Sequence, residues 1–169
     1  MTPSPLDAAI TVEKPYRCKR TANFEIAAAP DAVFAMMCPV REYEWAPSWT
    51  TNLILSASGL VEQDCIFTTP AGASIASNND SAEAIWVTPF HDPETRRLTM
   101  IKVTPKECVT RLDIAVDETN GGATVTASYE HTALSPKGRI IVDGHTEQSY
   151  AATMAEWRNA LSSQLDAAA

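Results

Sequence analysis

Along the stretch RTANFEIAA, the apolar residues Ala22, Phe24 and Ile26 alternate with Thr21, Asn23 and Glu25. A period of two predicts a half-buried strand. The period then changes. In APDAVFAMM, Pro30 and Asp31 suit a helix start, and Val33, Phe34, Met36 and Met37 supply one apolar side. A short helix is predicted there, stopped by Pro39. The next stretch, PVREYEWAPSW, predicts a second short helix or turn ended by Pro47. Beyond it, TNLILSAS, DCIFTT, EAIWVTPF, RRLTMIKVT, ECVTRLDIAVDE and ATVTASYEHTAL are rich in branched and aromatic residues and predict strands. The joints SGLVEQ, HDPET, TPK and ETNGG are short and turn-like, so neighbouring strands run antiparallel. The longer, small-residue-rich PAGASIASNNDSAE is expected to be a mobile loop.

The hairpin around Asn120-Gly121-Gly122 fixes its own register. Pairing Val116 with Val125 sets Ile114 opposite Ala127, Leu112 opposite Tyr129 and Thr110 opposite His131. That face is mostly apolar. The other face pairs Arg111 with Glu130 and Asp113 with Ser128, a solvent pattern with a surface ion pair of small worth. Tyr129 and His131 are therefore expected to point inward.

Ser135 and Pro136 then suit a helix start. One long helix is expected from there to about Leu165, roughly 45 Å at 1.5 Å per residue. Its stripe would hold Ile140, Gly144, Glu147, Ala151, Met154, Leu161 and Leu165, flanked by Asp143, Tyr150 and Trp157. The C-terminal half of that stripe is apolar. The other half carries Asp143 and Glu147, which a dry core disfavours.

The 169 residues suit one domain with a real core. Residues 1–18, with Pro3, Pro5 and Pro15, are expected to form an N-terminal arm or tail, and residues 19–169 the domain. The net charge of -8 and the absence of a Lys/Arg cluster argue against nucleic acid and anionic membrane surfaces as partners. No apolar run approaches the roughly 18 residues of a membrane span, and the opening residues lack the order of a secretory signal. The expected setting is cytoplasmic, as a monomer or homodimer. Cys18, Cys38, Cys65 and Cys108 are widely spaced, without a CxxC pair, and fit small buried residues in a reducing compartment. The chain contains no GxGxxG, Walker or GxSxG motif. Its three histidines share no ligand spacing, so neither a metal nor another cofactor is expected.

The order of strand, two short helices, about six antiparallel strands and a long C-terminal helix resembles the helix-grip fold. This is the fold of the START-related, polyketide-cyclase-like superfamily, often called SRPBCC. FEIAAAPDAVFAMM is similar to that family's opening strand, Ala-Pro turn and first helix. GGATVTASYEHTALSPKG, followed by YAATMAEWRNAL, is similar to its last strand and gripping helix. PVREYEW followed by a Trp resembles a bacterial branch. The resemblance covers roughly residues 20 to 165. It implies an α+β domain in which a curved antiparallel sheet of about seven strands wraps the long helix around an apolar cavity. Rings of residues 38–49 would plug one end of it, with the charges of that segment facing water.

The resemblance implies binding of a small hydrophobic molecule such as a lipid, polyketide or aromatic metabolite. Trp45, Trp49, Phe67, Trp86, Met100, Tyr150 and Met154 are either the wall of that cavity or ordinary core. Tyr129 and His131 would orient a polar end of the ligand. They are also the candidate acid–base groups of the alternative, a cyclase or aromatase. Asp143 and Glu147, four apart on one helix face, are either paired carboxylates or a wet helix end at the cavity mouth. His91, in a turn, and His145, off the stripe, are expected to be solvated. Cys38 opens the aromatic segment and could face the cavity. A third alternative, a co-chaperone-like interaction module, would show a collapsed cavity and a wide exposed apolar patch.

Overall fold

The computed structural model describes residues 11–73 and 81–168. Residues 74–80, the middle of the expected mobile loop, and residues 1–10 of the expected arm lie outside the described residues. The elements run β1 (Arg17–Ile26), α1 (Pro30–Ala35), a 3-10 turn (Arg41–Glu44), β2 (Leu53–Leu55), β3 (Ile66–Thr69), β4 (Ala84–Asp92), β5 (Arg97–Thr104), β6 (Cys108–Thr119), β7 (Gly122–Ala133), α2 (Pro136–Gly144) and α3 (Glu147–Ala167). The seven strands form one antiparallel sheet in the order β1-β7-β6-β5-β4-β3-β2. This is the helix-grip architecture.

The registered hairpin is present as read: Val116, Ile114, Leu112 and Thr110 face Val125, Ala127, Tyr129 and His131. Gly121 takes a φ of +98° at the tip, where a side chain would be strained. β1 begins at Arg17, inside the expected arm, because Arg17 and Cys18 continue its ladder against Thr132 and His131. On the concave face one row crosses the whole sheet: Ile54, Phe67, Trp86, Lys102, Thr110, His131 and Cys18. The next row brings Met100, Leu112 and Tyr129 side by side. The register of β4 on β5 shifts between Val87 and Phe90, around Pro89, which has no N–H for the ladder.

The single C-terminal helix of the sequence reading is two helices. Gly144 ends α2, and Thr146 caps α3 by accepting a hydrogen bond from Ser149 N at 3.1 Å. The break resets the helical phase. α2 buries Gly138, Ile141 and Val142, and Ile140 is 68% exposed instead of lying on the stripe. In α3 the buried stripe is Tyr150, Met154, Trp157, Leu161 and Leu165, while Ala151 is exposed.

Gly138 lets α2 sit directly on the β5–β6 turn. A Cβ at this position would fall 1.8 Å from the Glu107 carbonyl oxygen. Around that contact Leu134 N bonds the same oxygen at 2.8 Å, and the Glu107 carboxylate meets Ser81 and Lys137. In an open helix, Gly to Ala stabilises by up to about 1 kcal/mol. Gly138→Ala is expected to reverse that sign and cost about 1–3 kcal/mol, because two backbones must part. Thermal unfolding of the variant measures it, and an unchanged or raised midpoint would show that α2 does not need the close approach.

Candidate functional site

Residues 38–49 close one end of the sheet's curve. Pro39 and Pro47 bound a segment in which the N–H groups of Arg41 and Glu42 both bond Cys38 O at 2.8 Å. Trp45 and Trp49 are buried, and each indole N–H is spent on the segment and helix beside it: Trp45 donates to Met36 O at 2.9 Å and Trp49 to Pro39 O at 2.7 Å. Trp45 sets its ring edge-on to Trp157, and Trp49 sets its ring edge-on to Phe67 and Trp86. Tyr43 is half-exposed and bonds Thr51.

The charges of this segment do not all face water, as the sequence reading expected. Arg41 and Glu44 pair on the outside at 2.9 Å. Glu42 turns inward and is 7% exposed. The physical reason is the 3-10 turn, whose three-residue period places Glu42 on the same side as the buried Trp45.

Glu42 enters a small enclosed void whose wall is otherwise Trp49, Phe67, Trp86, Met100, Leu112, Tyr129 and Trp157. The void leaves 10 Å³ for the centre of a water molecule, room for about one water. Trp86 and Phe67 stack at 5.3 Å, so much of the wall is flat ring. Three residues of this wall carry a polar group without a protein partner among the described residues. Burial alone, with no hydrogen bond, pushes the Glu42 carboxyl up to about 8. Burial, and then the Glu42 and Tyr150 charges, raise the Tyr129 hydroxyl well above its ordinary range. The Trp157 indole N–H is buried and has no acceptor.

The expected cavity residues divide into three groups. Trp49, Phe67, Trp86, Met100 and Tyr129 stand on the void. Trp45, Tyr150 and Met154 are buried behind it, with the Tyr150 hydroxyl bonded to Ala127 O at 2.7 Å. His131, Asp143 and Glu147 are elsewhere. His131 is sealed in the next row: its Nδ1 meets Thr110 Oγ1 at 2.7 Å, and its ring centre lies 4.4 Å from that of His145. Burial first, then repulsion from His145 and Lys102, holds it down to about 3, so it stays neutral. Asp143 is exposed and accepts from Tyr16 at 2.5 Å, and Glu147 is exposed and pairs with Arg20 at 3.4 Å. The helix break carries both acids outside.

That same break turns His145 inward, against expectation, where it is 6% exposed. His91 is half-buried and stacks on Phe34 at 5.6 Å. Arg111 stands opposite Glu130 in register, but its guanidinium pairs with Asp113 at 2.8 Å on its own strand. Sequence reasoning missed Glu42, Leu112 and Trp157 on the void. The signal for Glu42 was its spacing of three from Trp45.

Outside the 3-10 turn lies a second concavity, a cleft of about 450 Å³. Phe34, Ala35, Leu60, Val61 and Pro93 line it with Cys38 and His91, and Arg41, Arg96, Asp31 and Glu94 lie at its rim. The Cys38 thiol accepts from Val61 N at 3.1 Å and does not reach the inner void. Glu42 is therefore on one side of the turn and Arg41 on the other. Cys18, Cys38, Cys65 and Cys108 are all reduced thiols. Among the described residues, no three His, Cys, Asp or Glu side chains are placed to hold a metal ion, and no helix is long and apolar enough to cross a membrane.

No family model and no curated protein matches the chain. Solved structures do match over nearly its full length. A point mutant of norcoclaurine synthase from Thalictrum flavum, in complex with a transition state analogue, is 15% identical, with a TM-score of 0.64, covering 94% of this chain and 100% of that one. Ara h 8.0201 is 10% identical, with a TM-score of 0.59 and coverage of 88% and 99%. TTHA0849 from Thermus thermophilus is 11% identical, with a TM-score of 0.58 and coverage of 90% and 99%. The likeness defines the class: this chain has the helix-grip fold, shared with proteins of the SRPBCC and Bet v 1-like superfamily. At these identities the likeness concerns the fold alone, and function rests on the site.

Proposed function

We propose that this chain binds a small, mostly apolar molecule carrying one polar group, in the interior between the concave sheet and α3. The observation that carries the reading is that Glu42, Tyr129 and Trp157 stand together in the wall of one ring-lined void. Each carries a buried polar group without a protein partner among the described residues. Leaving such a group unpaired costs about 1–3 kcal/mol, so a protein that only needed a core would be more stable with apolar residues there. A ligand that brings hydrogen bonds and apolar surface together would offset that cost. Solved relatives of this fold include norcoclaurine synthase in complex with dopamine and hydroxybenzaldehyde, two ring compounds bearing polar groups.

Entry runs across residues 38–49. The 3-10 turn is the wall between the outer cleft and the void, and its swing would join the two. Met100 gives the opposite wall an adaptable side chain. If the chain is a catalyst of the cyclase or aromatase kind, proton transfer falls to Glu42 and Tyr129, because His131 is sealed away. The four reduced thiols fit a reducing, cytoplasmic setting.

A second reading, the protein-interaction module, draws on two observations: the interior void has room for only about one water, and the sheet carries an exposed apolar group. Leu53, Leu55, Ile66 and Ile85 form a neighbouring exposed apolar group on the convex face near the β2 edge. Native mass spectrometry of freshly purified protein, followed by organic extraction, separates the two. A released small molecule is the expected result. A bare chain whose tryptophan fluorescence ignores a panel of lipids and aromatics would favour the interaction module.

A further inference from the structure

Two of the four thiols stand near each other where the plug begins. Cys38, the first residue of the segment 38–49, is 2% exposed, and its sulfur accepts from Val61 N at 3.1 Å. Cys65 closes the turn that opens at the next residue: its N–H bonds Glu62 O at 3.1 Å. It precedes β3 on the parity of Phe67, so its side chain points to the concave side, toward the plug. Burial raises the Cys65 thiol, hydrogen bonding from the Glu62 backbone opposes the rise, and the Cys38 sulfur adds to it, an effect that fades with distance. Cys38 lines the outer cleft, whereas Cys65 belongs to the core behind it. The pair therefore straddles the joint between plug and sheet. The other two thiols have no such neighbour. Cys18 lies on β1 and Cys108 on β6, with β7 between them. Two strand spacings are roughly 9–10 Å, more than the roughly 7 Å that a disulfide spans between Cα atoms, and Cys108 is three spacings from β3.

We propose that Cys38 and Cys65 are a redox pair, which a hydroperoxide joins in a disulfide that fastens residues 38–49 to the sheet and holds shut the wall between the outer cleft and the void. Cys38 reacts first, because it stands on the cleft. Its thiolate attacks one peroxide oxygen, the O–O bond breaks, and the departing hydroxide takes a proton to leave as water. The Cys38 sulfenic acid is then attacked by the Cys65 sulfur. The S–O bond breaks, the S–S bond forms, and a second water leaves. Each sulfur gives up one electron, the peroxide takes up two, and the two thiol protons end in the two waters. Cys65, buried and with its thiol raised, is slow to react alone and serves to capture the sulfenic acid before it oxidises further. In a reducing setting the pair stays as two thiols and the plug is free to swing. That this wall governs entry rests on the interior-binding reading; the bond between the two sulfurs does not.

The test treats the full chain with hydrogen peroxide at neutral pH and then alkylates the thiols that remain. Mass spectrometry of the intact chain and of its peptides locates the bond, and amide hydrogen exchange reads the opening of residues 38–49. The expected result is a loss of about 2 Da before alkylation and a linked pair of peptides holding Cys38 and Cys65, with Cys18 and Cys108 still open to alkylation. Exchange across residues 38–49 should slow at least about threefold and recover with dithiothreitol. Cys38→Ser should show neither change, and Cys18→Ser should respond as the full chain does. A chain that keeps all four thiols, gains oxygen without losing two hydrogens, or links a different pair would overturn the redox pair and leave interior binding standing. A Cys38–Cys65 bond with unchanged exchange would overturn the latch on the wall. Failure of interior binding shows separately, as the absence of a released small molecule.

Discussion

Glu42→Gln is expected to make this protein more stable at pH 7 and above, by roughly 3 kcal/mol at pH 7. The Glu42 carboxyl lies at about 8 in the folded chain, against an ordinary value of 4.5. A carboxyl raised by folding keeps its proton in the native state where the unfolded state has already lost it. Its contribution is therefore fully favourable below pH 4.5, declines at about 1.4 kcal/mol per pH unit from there to 8, and is lost above 8. Glutamine has the same shape and no charge, so it removes the decline. His131 acts in the opposite direction: burial holds it at about 3 against 6.5, so stability falls as pH drops from 6.5 toward 3. The lowered His145 and His91 add to that acid side.

Between pH 4.5 and 6.5 the Glu42 and His131 slopes oppose each other and roughly cancel. With His145 and His91 added, the wild type should rise gently there and lose stability from 6.5 to 8. Glu42→Gln should rise more steeply to about pH 6.5 and stay level beyond it. Urea midpoints at pH 5.5, 6.5 and 8 decide the matter. A wild-type midpoint that does not move between 6.5 and 8 would mean that Glu42 is not held inside as a neutral acid, and the site would lose its most unusual member.

The parts of the fold readable in the sequence are those where one face is wet and the other dry. Alternation in residues 108–133 set the β6–β7 register to the residue, because a slip of one would have put Arg111 and Glu130 inside and Leu112 and Tyr129 outside. That register is also why Tyr129 could be placed near the site. The helix break was harder. The 100° stripe runs smoothly through residues 144–147 on paper, and Gly144 with the Thr146 and Ser149 cap outweighs it only because capping satisfies backbone groups that a stripe count ignores. Missing it put Asp143 and Glu147 on or beside the stripe, as paired acids or a wet helix end, and His145 off it, whereas both acids are exposed on ion-pair and hydrogen-bond partners and His145 is buried. Glu42 was illegible for a related reason. A charge in a proline-bounded segment reads as solvent, and only the three-residue period of a 3-10 turn, against the walls of other elements, turns it inward.

Trp157 is the ring on which the site and the core meet, and truncating it should give the largest loss of stability. It is 2% exposed and packs edge-on against Trp45 at 5.5 Å and Tyr129 at 6.2 Å. Trp157→Ala removes those contacts and opens a cavity that the plug and sheet cannot collapse onto, at a cost of about 3–5 kcal/mol. The void would then be large enough for a free ring, and indole should restore part of the loss by mass action, about 2.7 kcal/mol at a hundred times its Kd. Trp157→Phe should behave differently. It keeps most of the ring contact and deletes an N–H that has no acceptor among the described residues, so the relief of that unpaired donor, about 1–3 kcal/mol, offsets much of the lost packing. The difference between the two variants isolates the N–H from the ring. If Trp157→Phe costs as much as Trp157→Ala, the indole nitrogen has a partner in solution. If it costs little, the ring and not its N–H is what the stability of the chain needs at this position.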